Sequence, residues 1–311
     1  MHGRMSFYKV IVEAAVIFLL AASVVYAENG GTAGSAGENG YAGSKVCAGC
    51  HKYEAASFQT NPHMQAGKLF TEFQGCETCH GPGALHAKTQ NPADIRDPRK
   101  MEPSAVNAIC LGCHDRGKQA LWMGSTHETR SLACTTCHSI HHGYRHLLVK
   151  EDEKDVCFQC HQDVRAQLWR QSHHPIREGK LSCTSCHNPH GTIAPYLIDA
   201  LTVNDKCFEC HPEKRGPYLF EHKPVVENCL NCHTPHGSNH NKLLARKSLY
   251  LCQSCHSGEF HPGTMYAMGA STNVPGNPFR SLGVQGVYRD CLNCHANIHG
   301  SNSPSGEFFL R

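Results

Sequence analysis

The sequence predicts short α-helices and coil with little or no β-sheet, and three observations carry that prediction. A Cys-x-x-Cys-His motif recurs ten times along the chain and uses all twenty cysteines. The sequence shows no run of alternating apolar and polar residues of the kind that marks a half-buried strand. Segments such as 91–103 and 272–279 are rich in Pro, Asn or Gly, which is typical of loops. Long apolar runs are also missing, so the core must form around something other than apolar side chains.

The first 27 residues have the features of a secretory signal peptide. Arg4 and Lys9 form a positive start, residues 10–22 are mostly apolar, and Val25-Tyr26-Ala27 gives a small-x-small cleavage site. At roughly 13 residues the apolar stretch is shorter than the ~20 that a membrane-spanning helix needs. We therefore expect export and cleavage after Ala27. Residues 28–43, which are mainly Gly, Ala, Ser, Glu and Asn, are expected to form a flexible leader.

The motif spacing is the attachment signature of c-type haem. Two thiols three residues apart lie on one face of a helical turn, where both can form thioethers with haem vinyl groups, and the next His can ligate the iron. One copy could equally be a thioredoxin-like redox pair or half of a zinc site, but ten copies with no cysteine left over predict ten covalently bound haem c groups. The haem-binding cysteines are Cys47, Cys50, Cys76, Cys79, Cys110, Cys113, Cys134, Cys137, Cys157, Cys160, Cys183, Cys186, Cys207, Cys210, Cys229, Cys232, Cys252, Cys255, Cys291 and Cys294.

The motifs alternate between two forms, so the predicted repeat unit is a pair of motifs. Even-numbered motifs are followed by a second His, as in His187-Asn-Pro-His190-Gly191, and most are preceded by another His. A His in register with a haem motif is a candidate for the second axial position. The predicted motif ligands are His51, His80, His114, His138, His161, His187, His211, His233, His256 and His295. The predicted second ligands are His63, His86, His127, His142, His174, His190, His222, His236, His261 and His299.

Several alternatives to this ligand set stay open. His141 lies beside His142, and His173 lies beside His174, so either member of each pair could serve. His146 and His240 are further reserves. Methionine is a competing ligand type, available at Met64, Met101, Met123, Met265 and Met268, but these residues do not follow the repeat. Ligation by two histidines predicts low-potential, six-coordinate haems.

Regular secondary structure is expected to be sparse. The clearest helix is predicted over residues 155–171, ended by His173-His174-Pro175. Each motif is expected to occupy a single helical turn, with the glycines of the His-Gly pairs supplying left-handed caps. The haems are expected to form the core, so the apoprotein should be largely unfolded.

The even-motif frame, most clearly Ser172-His-His-Pro with Cys183-Thr-Ser-Cys-His187-Asn-Pro-His190-Gly191, resembles the periplasmic decahaem cytochromes of the MtrA/DmsE type. The resemblance spans roughly residues 44–300. It implies an elongated, periplasmic, outer-membrane-associated protein made of two pentahaem halves, 44–165 and 166–300, with a C-terminal tail at 301–311. It also implies three partners, namely an outer-membrane β-barrel porin, an extracellular multihaem cytochrome, and a quinol dehydrogenase of the inner membrane or a small periplasmic cytochrome as electron donor.

Electron conduction without a bound substrate is therefore the predicted function. A multihaem reductase with one open haem is the first alternative, but the Cys-x-x-Cys-Lys motif that often marks such a site is missing from the sequence. A subunit of an extracellular cytochrome filament is the second alternative. The formal net charge of +3 becomes negative once each haem adds two propionates, which argues against a nucleic-acid partner.

Overall fold

The computed structural model describes residues 40–70, 73–142, 144–256, 290–304 and 306–310. Within these residues the chain is helical or coiled, and its only extended pairings are isolated β-bridges. The predicted fold class is therefore confirmed. The signal peptide, most of the leader, His261, Met265 and Met268 lie outside the described residues. None of the helices in the described part has the length and apolarity needed to cross a membrane.

The chain divides into two compact units, residues 1–101 and 102–311. The pentahaem halves 44–165 and 166–300 concern the grouping of haems and stay a prediction. The α-helices of the first unit are α1 (Ser44–Cys50), α2 (Lys52–Gln59), α3 (Pro62–Ala66), α4 (Cys76–His80) and α5 (Ala84–Thr89). Its 3-10 turns are Pro92–Asp94 and Pro98–Lys100.

The second unit is built from the same short elements. Its α-helices are α6 (Pro103–Leu111), α7 (Cys134–Cys137), α8 (Glu153–Cys157), α9 (Gln162–Gln167), α10 (Val203–Phe208), α11 (Lys223–Glu227) and α12 (Ser248–Gln253). Its 3-10 turns are Gly117–Gln119, Glu128–Arg130, Arg145–Leu147, Cys183–Ser185, Pro195–Leu197, Pro212–Lys214, Cys229–Asn231, Asn241–Leu243, Cys291–Asn293 and Gly306–Phe308.

The single helix predicted over residues 155–171 is wrong, because the chain forms α8 and α9 instead. The motif closes one turn, in which the His161 N–H donates to the Cys157 carbonyl at 3.0 Å. His161 then takes a ψ of 62°, which ends the helix. His51 and His211, also in odd-numbered motifs, break the chain in the same way, with ψ values of 58° and 53°. The motif itself therefore limits helix length.

Even-numbered motifs continue differently, into a loop that folds back on the motif histidine. Isolated bridges join His138 to Leu148, His187 to Ile198 and His233 to Leu244. The two motif forms seen in the sequence thus correspond to two backbone arrangements. An odd motif leads into a second helical segment, and an even motif leads into a returning loop.

Gly191, Gly237 and Gly300 do not act as helix caps, contrary to the prediction for the glycines of the His-Gly pairs. Gly143 lies outside the described residues. Gly191 has a φ of +130°, far from the left-handed helical value, and a Cβ there would collide with the Leu121 carbonyl. Gly237 has no unusual φ, but a Cβ would collide with the Gln167 carbonyl. These glycines permit close approach of two backbone segments.

Few apolar side chains are buried in the described part of the chain. The buried apolar residues are Phe58, Val106, Trp122, Val156, Leu168, Ala194 and Ile198. The buried polar residues, which include Glu77, Asn107 and Asn204, outnumber them. The described polypeptide therefore builds no sizeable apolar core of its own, which agrees with the expectation that haem supplies the core.

Candidate haem-ligand pairs

Seven motif histidines each lie opposite a second histidine, with ring centroids 6.0 to 6.4 Å apart. Each pair lies within one compact unit and joins one predicted motif ligand to one predicted second ligand. The pairs are His51–His86, His161–His127, His138–His190, His211–His174, His187–His236, His256–His222 and His233–His299.

This spacing fits one metal ion between two imidazoles. A bond of roughly 2 Å from each ring nitrogen to the metal, plus the distance from that nitrogen to the ring centre, puts the centroids about 6 Å apart. Direct stacking of the two rings would bring them closer. The iron of a covalently attached haem would therefore fit midway in each pair, with the four porphyrin nitrogens completing six-fold coordination.

Hydrogen bonds from Nδ1 place the lone pair of the even-motif histidines on Nε2, the atom that would bind a metal. Nδ1 of His138 donates to the His146 carbonyl at 3.1 Å, and Nδ1 of His187 donates to the Tyr196 carbonyl at 2.8 Å. A carbonyl only accepts, so the proton must be on Nδ1 and the lone pair on Nε2. The same bond occurs from His80 to Arg96, from His233 to Lys242 and from His295 to Phe308.

Three of the accepting carbonyls belong to residues with unusual backbone angles. His146, Tyr196 and Lys242 have φ values of 57°, 61° and 59°, in the left-handed region. A non-glycine residue there costs on the order of 1 kcal/mol or more, so the rest of the loop must hold it in place. Because the same conformation recurs in three loops, we attribute it to the need to aim a carbonyl at the motif imidazole.

The second ligands are connected to one another through the backbone. His127 Nδ1 donates to the Pro189 carbonyl at 2.8 Å, and Pro189 directly precedes His190. His174 makes the same bond to Pro235, directly before His236, at 2.7 Å. Each bond therefore fixes the orientation of one candidate second ligand relative to the chain segment that carries another.

His222 occupies the corresponding place beside Ile298, the residue before His299. Burial and the neighbouring His256 lower the pKa of His222, while the Ile298 backbone acts in the opposite direction. The Nδ1 contact nevertheless falls short of hydrogen-bond geometry. We regard the contact as present but weaker than those of His127 and His174, because an accepted hydrogen bond requires good distance and angle.

Burial keeps several of these imidazoles neutral. Loss of solvation, together with a smaller effect of nearby positive groups, lowers the pKa of His190 and of His299 to about 4. Loss of solvation is also the largest cause that lowers the pKa of His233 and His236. A metal ligand must be the neutral imidazole, so this environment favours ligation near neutral pH.

The first cysteines of consecutive motifs meet in pairs. A hydrogen bond between the Cys110 and Cys134 thiols raises the pKa of Cys110 and lowers that of Cys134. Cys157 pairs with Cys183 in the same way, and Cys207 with Cys229. Thioether formation would remove these thiol protons but not the proximity of the sulfurs. The haem attachment points of an odd motif and the next even motif are therefore adjacent.

The second cysteines connect each even motif to the next odd one. Burial raises the thiol pKa of Cys137, and the nearby Cys160 raises it further. Burial and the nearby Cys255 act on the thiol pKa of Cys232 in the same way. Along this part of the chain, an odd motif is therefore close to the next even motif at their first cysteines, and an even motif is close to the next odd motif at their second cysteines. The attachment points follow one another in sequence order.

The structure favours one member of the His173/His174 pair as the candidate ligand. His174 lies opposite His211, whereas His173 has both ring nitrogens engaged, with the Arg170 carbonyl at 2.7 Å and the Glu178 carboxylate at 3.1 Å. His174 is therefore the better candidate ligand. His141 and His142 have ring centroids 6.0 Å apart, as neighbours along the chain, and the choice between them stays open.

The remaining predicted ligands stay predictions. Those that the seven pairs leave out are the second ligands His63 and His142 and the motif histidines His80, His114 and His295, while His261 lies outside the described residues. The ligand roles of the paired histidines also stay predictions, which the spacing of the rings supports. The seven pairs use no methionine, and Met123 is 70 % exposed. Histidine therefore fills both sides in every pair that the structure defines.

Sequence reasoning missed which histidine serves which motif. His127 precedes the fourth motif but lies opposite His161 of the fifth, and His190 follows the sixth motif but lies opposite His138 of the fourth. The repeat register shows that these histidines are equivalent but carries no signal about the partner. The sequence also carries no signal for Asn107 and Asn204, whose buried side chains accept hydrogen bonds from the backbone N–H of Cys134 and of Cys229 in the following motifs.

Comparison with known protein families also finds pairs of Cys-x-x-Cys-His motifs in this chain. The doubled Cys-x-x-Cys-His family model matches residues 127–166, 173–216 and 222–260. Each match begins at or next to a candidate second ligand and includes the odd motif with which that ligand pairs. The matched unit is therefore offset by one motif from the odd–even pair predicted from the sequence.

The chain is 39% identical over 240 residues to the multiheme cytochrome MtrA of Shewanella baltica (strain OS185), an alignment that covers 76% of this chain and 70% of the relative. Among solved structures, the undecaheme cytochrome from the S-layer of Carboxydothermus ferrireducens is 20% identical and covers 77% of this chain, with a TM-score of 0.14. The alignment spans 33% of that longer chain. A TM-score this low supports no shared arrangement.

Proposed function

Since this chain belongs to the multihaem c-type cytochrome family that includes MtrA, we propose that it conducts electrons along ten covalent haems, from the periplasm through an outer-membrane porin to an extracellular acceptor. A quinol dehydrogenase of the inner membrane or a small periplasmic cytochrome would supply the electrons. An outer-surface multihaem cytochrome would receive them.

The observation that carries this proposal is the set of seven histidine pairs. Haem iron supplies one-electron storage by cycling between its ferric and ferrous states. The protein's part is to occupy both axial positions with imidazoles, several of which are oriented by a backbone carbonyl or a neighbouring side chain. A haem held in this way has no vacant position for a substrate, which favours an electron carrier over a reductase.

The order of the attachment points supports conduction along the chain. First-cysteine contacts, such as Cys157 with Cys183, join an odd motif to the next even one. Second-cysteine proximity, such as Cys232 with Cys255, joins an even motif to the next odd one. Electrons would therefore pass from haem to haem in sequence order.

A porin partner would meet a physical need of such a path. Polar backbone cannot face the hydrocarbon region of a membrane unless its hydrogen bonds are satisfied, and much of this chain is loop. A surrounding protein wall would separate the chain from lipid. Family membership supports this partner, and purification of the assembled complex can test it.

The test begins with affinity purification of the tagged full-length protein from detergent-solubilised outer membranes. We expect a porin to co-purify with it, and the complex in liposomes to pass electrons from an enclosed reduced dye to an external acceptor. A protein without the last motif pair, residues 252–299, should still be reduced from inside but should not reduce the external acceptor. Normal external reduction by that truncated complex would contradict conduction from end to end.

A further inference from the structure

We propose that a polar side chain one helical turn ahead of each odd-numbered motif is a positioning residue, which fixes the separation of the two haem attachment points in a motif pair. Asn107 and Asn204 are the two strongest cases. This inference rests on the covalent haem attachment proposed above. It concerns residues outside every Cys-x-x-Cys-His motif and every histidine pair.

Asn107 connects the third motif to the fourth. It lies on α6, three residues before Cys110, so both side chains lie on the same face of the helix. Its side chain donates through Nδ2 to the Leu132 carbonyl at 2.9 Å, and its Oδ1 accepts from the Cys134 N–H at 2.8 Å. Asn107 is only 4% exposed. One buried amide thus joins the helix that carries Cys110 to the backbone of Cys134.

Asn204 makes the same connection between the seventh and eighth motifs. It lies on α10, three residues before Cys207, and is 9% exposed. Its Nδ2 donates to the carbonyls of Val225 and Val226 at 2.9 and 3.0 Å. Its Oδ1 accepts from the Cys229 N–H at 2.7 Å. As in Asn107, the side-chain amide donates to backbone carbonyls and accepts from the N–H of the first cysteine in the next motif.

The other pairs achieve this connection with different residues. Ser44, three residues before Cys47, accepts from the Cys76 N–H at 3.2 Å. Glu153, four residues before Cys157, accepts from the backbone and hydroxyl of Thr184 at 2.9 and 2.7 Å. Ser248, four residues before Cys252, donates to the carboxylate of Asp290. Asn, Ser and Glu share no shape, so what recurs is the position and the connection.

The amides also explain why the sulfurs meet. Burying an amide is unfavourable unless its donor and acceptor are both used, so Asn107 and Asn204 hold their partners at fixed distances. The backbone of Cys134 is thereby fixed relative to Cys110, and that of Cys229 relative to Cys207, and both cysteine pairs are in thiol contact. Because each sulfur anchors a haem, this connection sets the distance that an electron must cross within a pair.

The test compares the holoprotein with the Asn204→Leu and Asn231→Leu variants. Leucine has the same branched arrangement of four heavy side-chain atoms as asparagine, although it is bulkier, and it removes the three hydrogen bonds of Asn204. Asn231 is a matched control, since it is exposed and its Nδ2 donates only to the nearby Pro224 carbonyl, at 3.0 Å. Haem content by intact mass and the low-spin absorption spectrum are measured first, because they test haem attachment separately from the connection.

Circular dichroism in the Soret band then reports the geometry of neighbouring haems, because their transitions couple according to distance and orientation. We expect Asn204→Leu to lose part of the two-signed Soret signal while keeping its absorption spectrum, and Asn231→Leu to retain the full signal. An identical Soret signal in Asn204→Leu and the unmodified protein would overturn the inference. A purely structural role would lower the thermal midpoint without changing this signal below the transition.

A second variant keeps the test decisive if Asn204→Leu does not take up its full set of haems. Asn204→Ser replaces the amide by a hydroxyl, which can also accept a hydrogen bond, and Ser44 already fills this position in the first pair, so the variant should load fully. We expect the Soret signal to fall, because the bonds to the Val225 and Val226 carbonyls are removed. The loss should be smaller than in Asn204→Leu, because the serine hydroxyl can still accept from the Cys229 N–H. An unchanged signal in a fully loaded Asn204→Ser protein would also overturn the inference.

Discussion

The imidazoles of His138 and His190 lie almost parallel, with 14° between their planes and 6.2 Å between their centroids. His138 belongs to the fourth motif and His190 follows the sixth, so this pair closes a long loop of chain. Nδ1 of each ring has an acceptor, the His146 carbonyl for His138 and Asn188 Oδ1 for His190. The two Nε2 atoms are therefore the ones left to bind iron.

Replacing His190 by alanine should open one haem. We expect His190→Ala to change one haem per molecule from low spin to high spin and to let that haem bind carbon monoxide. Absorption spectra before and after carbon monoxide measure this change. His240→Ala is the control, because His240 lies outside the seven pairs and only its backbone N–H bonds to Ser238. A variant of His190 that stays fully low spin would show that this histidine is not a ligand.

The adjacent histidines His173 and His174 should behave differently. His174→Ala should create a haem that binds carbon monoxide, since His174 lies opposite His211. His173→Ala should leave the spectrum unchanged, since both nitrogens of His173 are held by Arg170 and Glu178. The opposite result for the two variants would reverse the assignment.

The buried carboxylate of Glu77 should stabilise the first compact unit. It is 3% exposed and accepts backbone N–H groups of Ala42, Gly43 and Gly83 at 2.7 to 2.8 Å. Glu77→Ala leaves these donors without an acceptor, so we expect a loss on the order of 3 kcal/mol, measured by denaturant unfolding. Glu77→Gln should lose less, because its Oε1 can still accept from Ala42 and Gly83. Equal losses in the two variants would contradict this account.

Gly237 should not tolerate a side chain. A Cβ would collide with the Gln167 carbonyl, so Gly237→Ala must push two backbone segments apart. We expect a destabilisation of about 1–3 kcal/mol, seen as a lower thermal midpoint of the holoprotein. Gly49→Ala is the control, because no atom lies within 4 Å of the position its Cβ would take. Similar midpoints for the two variants would show that the close approach is not tight in solution.

Stability should fall as the pH drops from about 6.5 towards 4. Burial lowers the pKa of His190 and His299 from 6.5 to about 4 in the folded protein. Between these values the unfolded chain binds protons that the folded chain does not, so acid favours unfolding. Unfolding midpoints in denaturant over a pH series measure this. His190→Met removes one titrating imidazole and should show a shallower decline, whereas a flat profile in the unmodified protein would contradict the expectation.

The sequence was sufficient for the features that follow from local chemistry. The motif spacing predicts single turns and covalent haem, and the alternation of motif forms predicts where second histidines lie. The helix over residues 155–171 was wrong because local propensity continues through Cys160, while His161 must leave the helix to present its imidazole. A periodic apolar pattern carries no information about that turn.

The partners of each histidine could not be predicted, because they are set by how distant segments pack. The carbonyls that orient the even-motif histidines come from His146, Tyr196 and Lys242, which share a backbone conformation but no residue type. Asn107 and Asn204 look like ordinary polar residues on short helices until their acceptors and donors are located in space. In both cases the recurring feature is geometric, because the residue type at the equivalent position varies from one motif pair to the next.

The central claim is that the chain holds ten haems with histidine on both sides of each iron. The most direct test is the electron paramagnetic resonance spectrum of the fully oxidised, freshly purified protein, quantified per molecule. We predict only low-spin ferric signals. A high-spin ferric signal that accounts for one haem or more per molecule would contradict the claim and would favour a reductase with an open haem site.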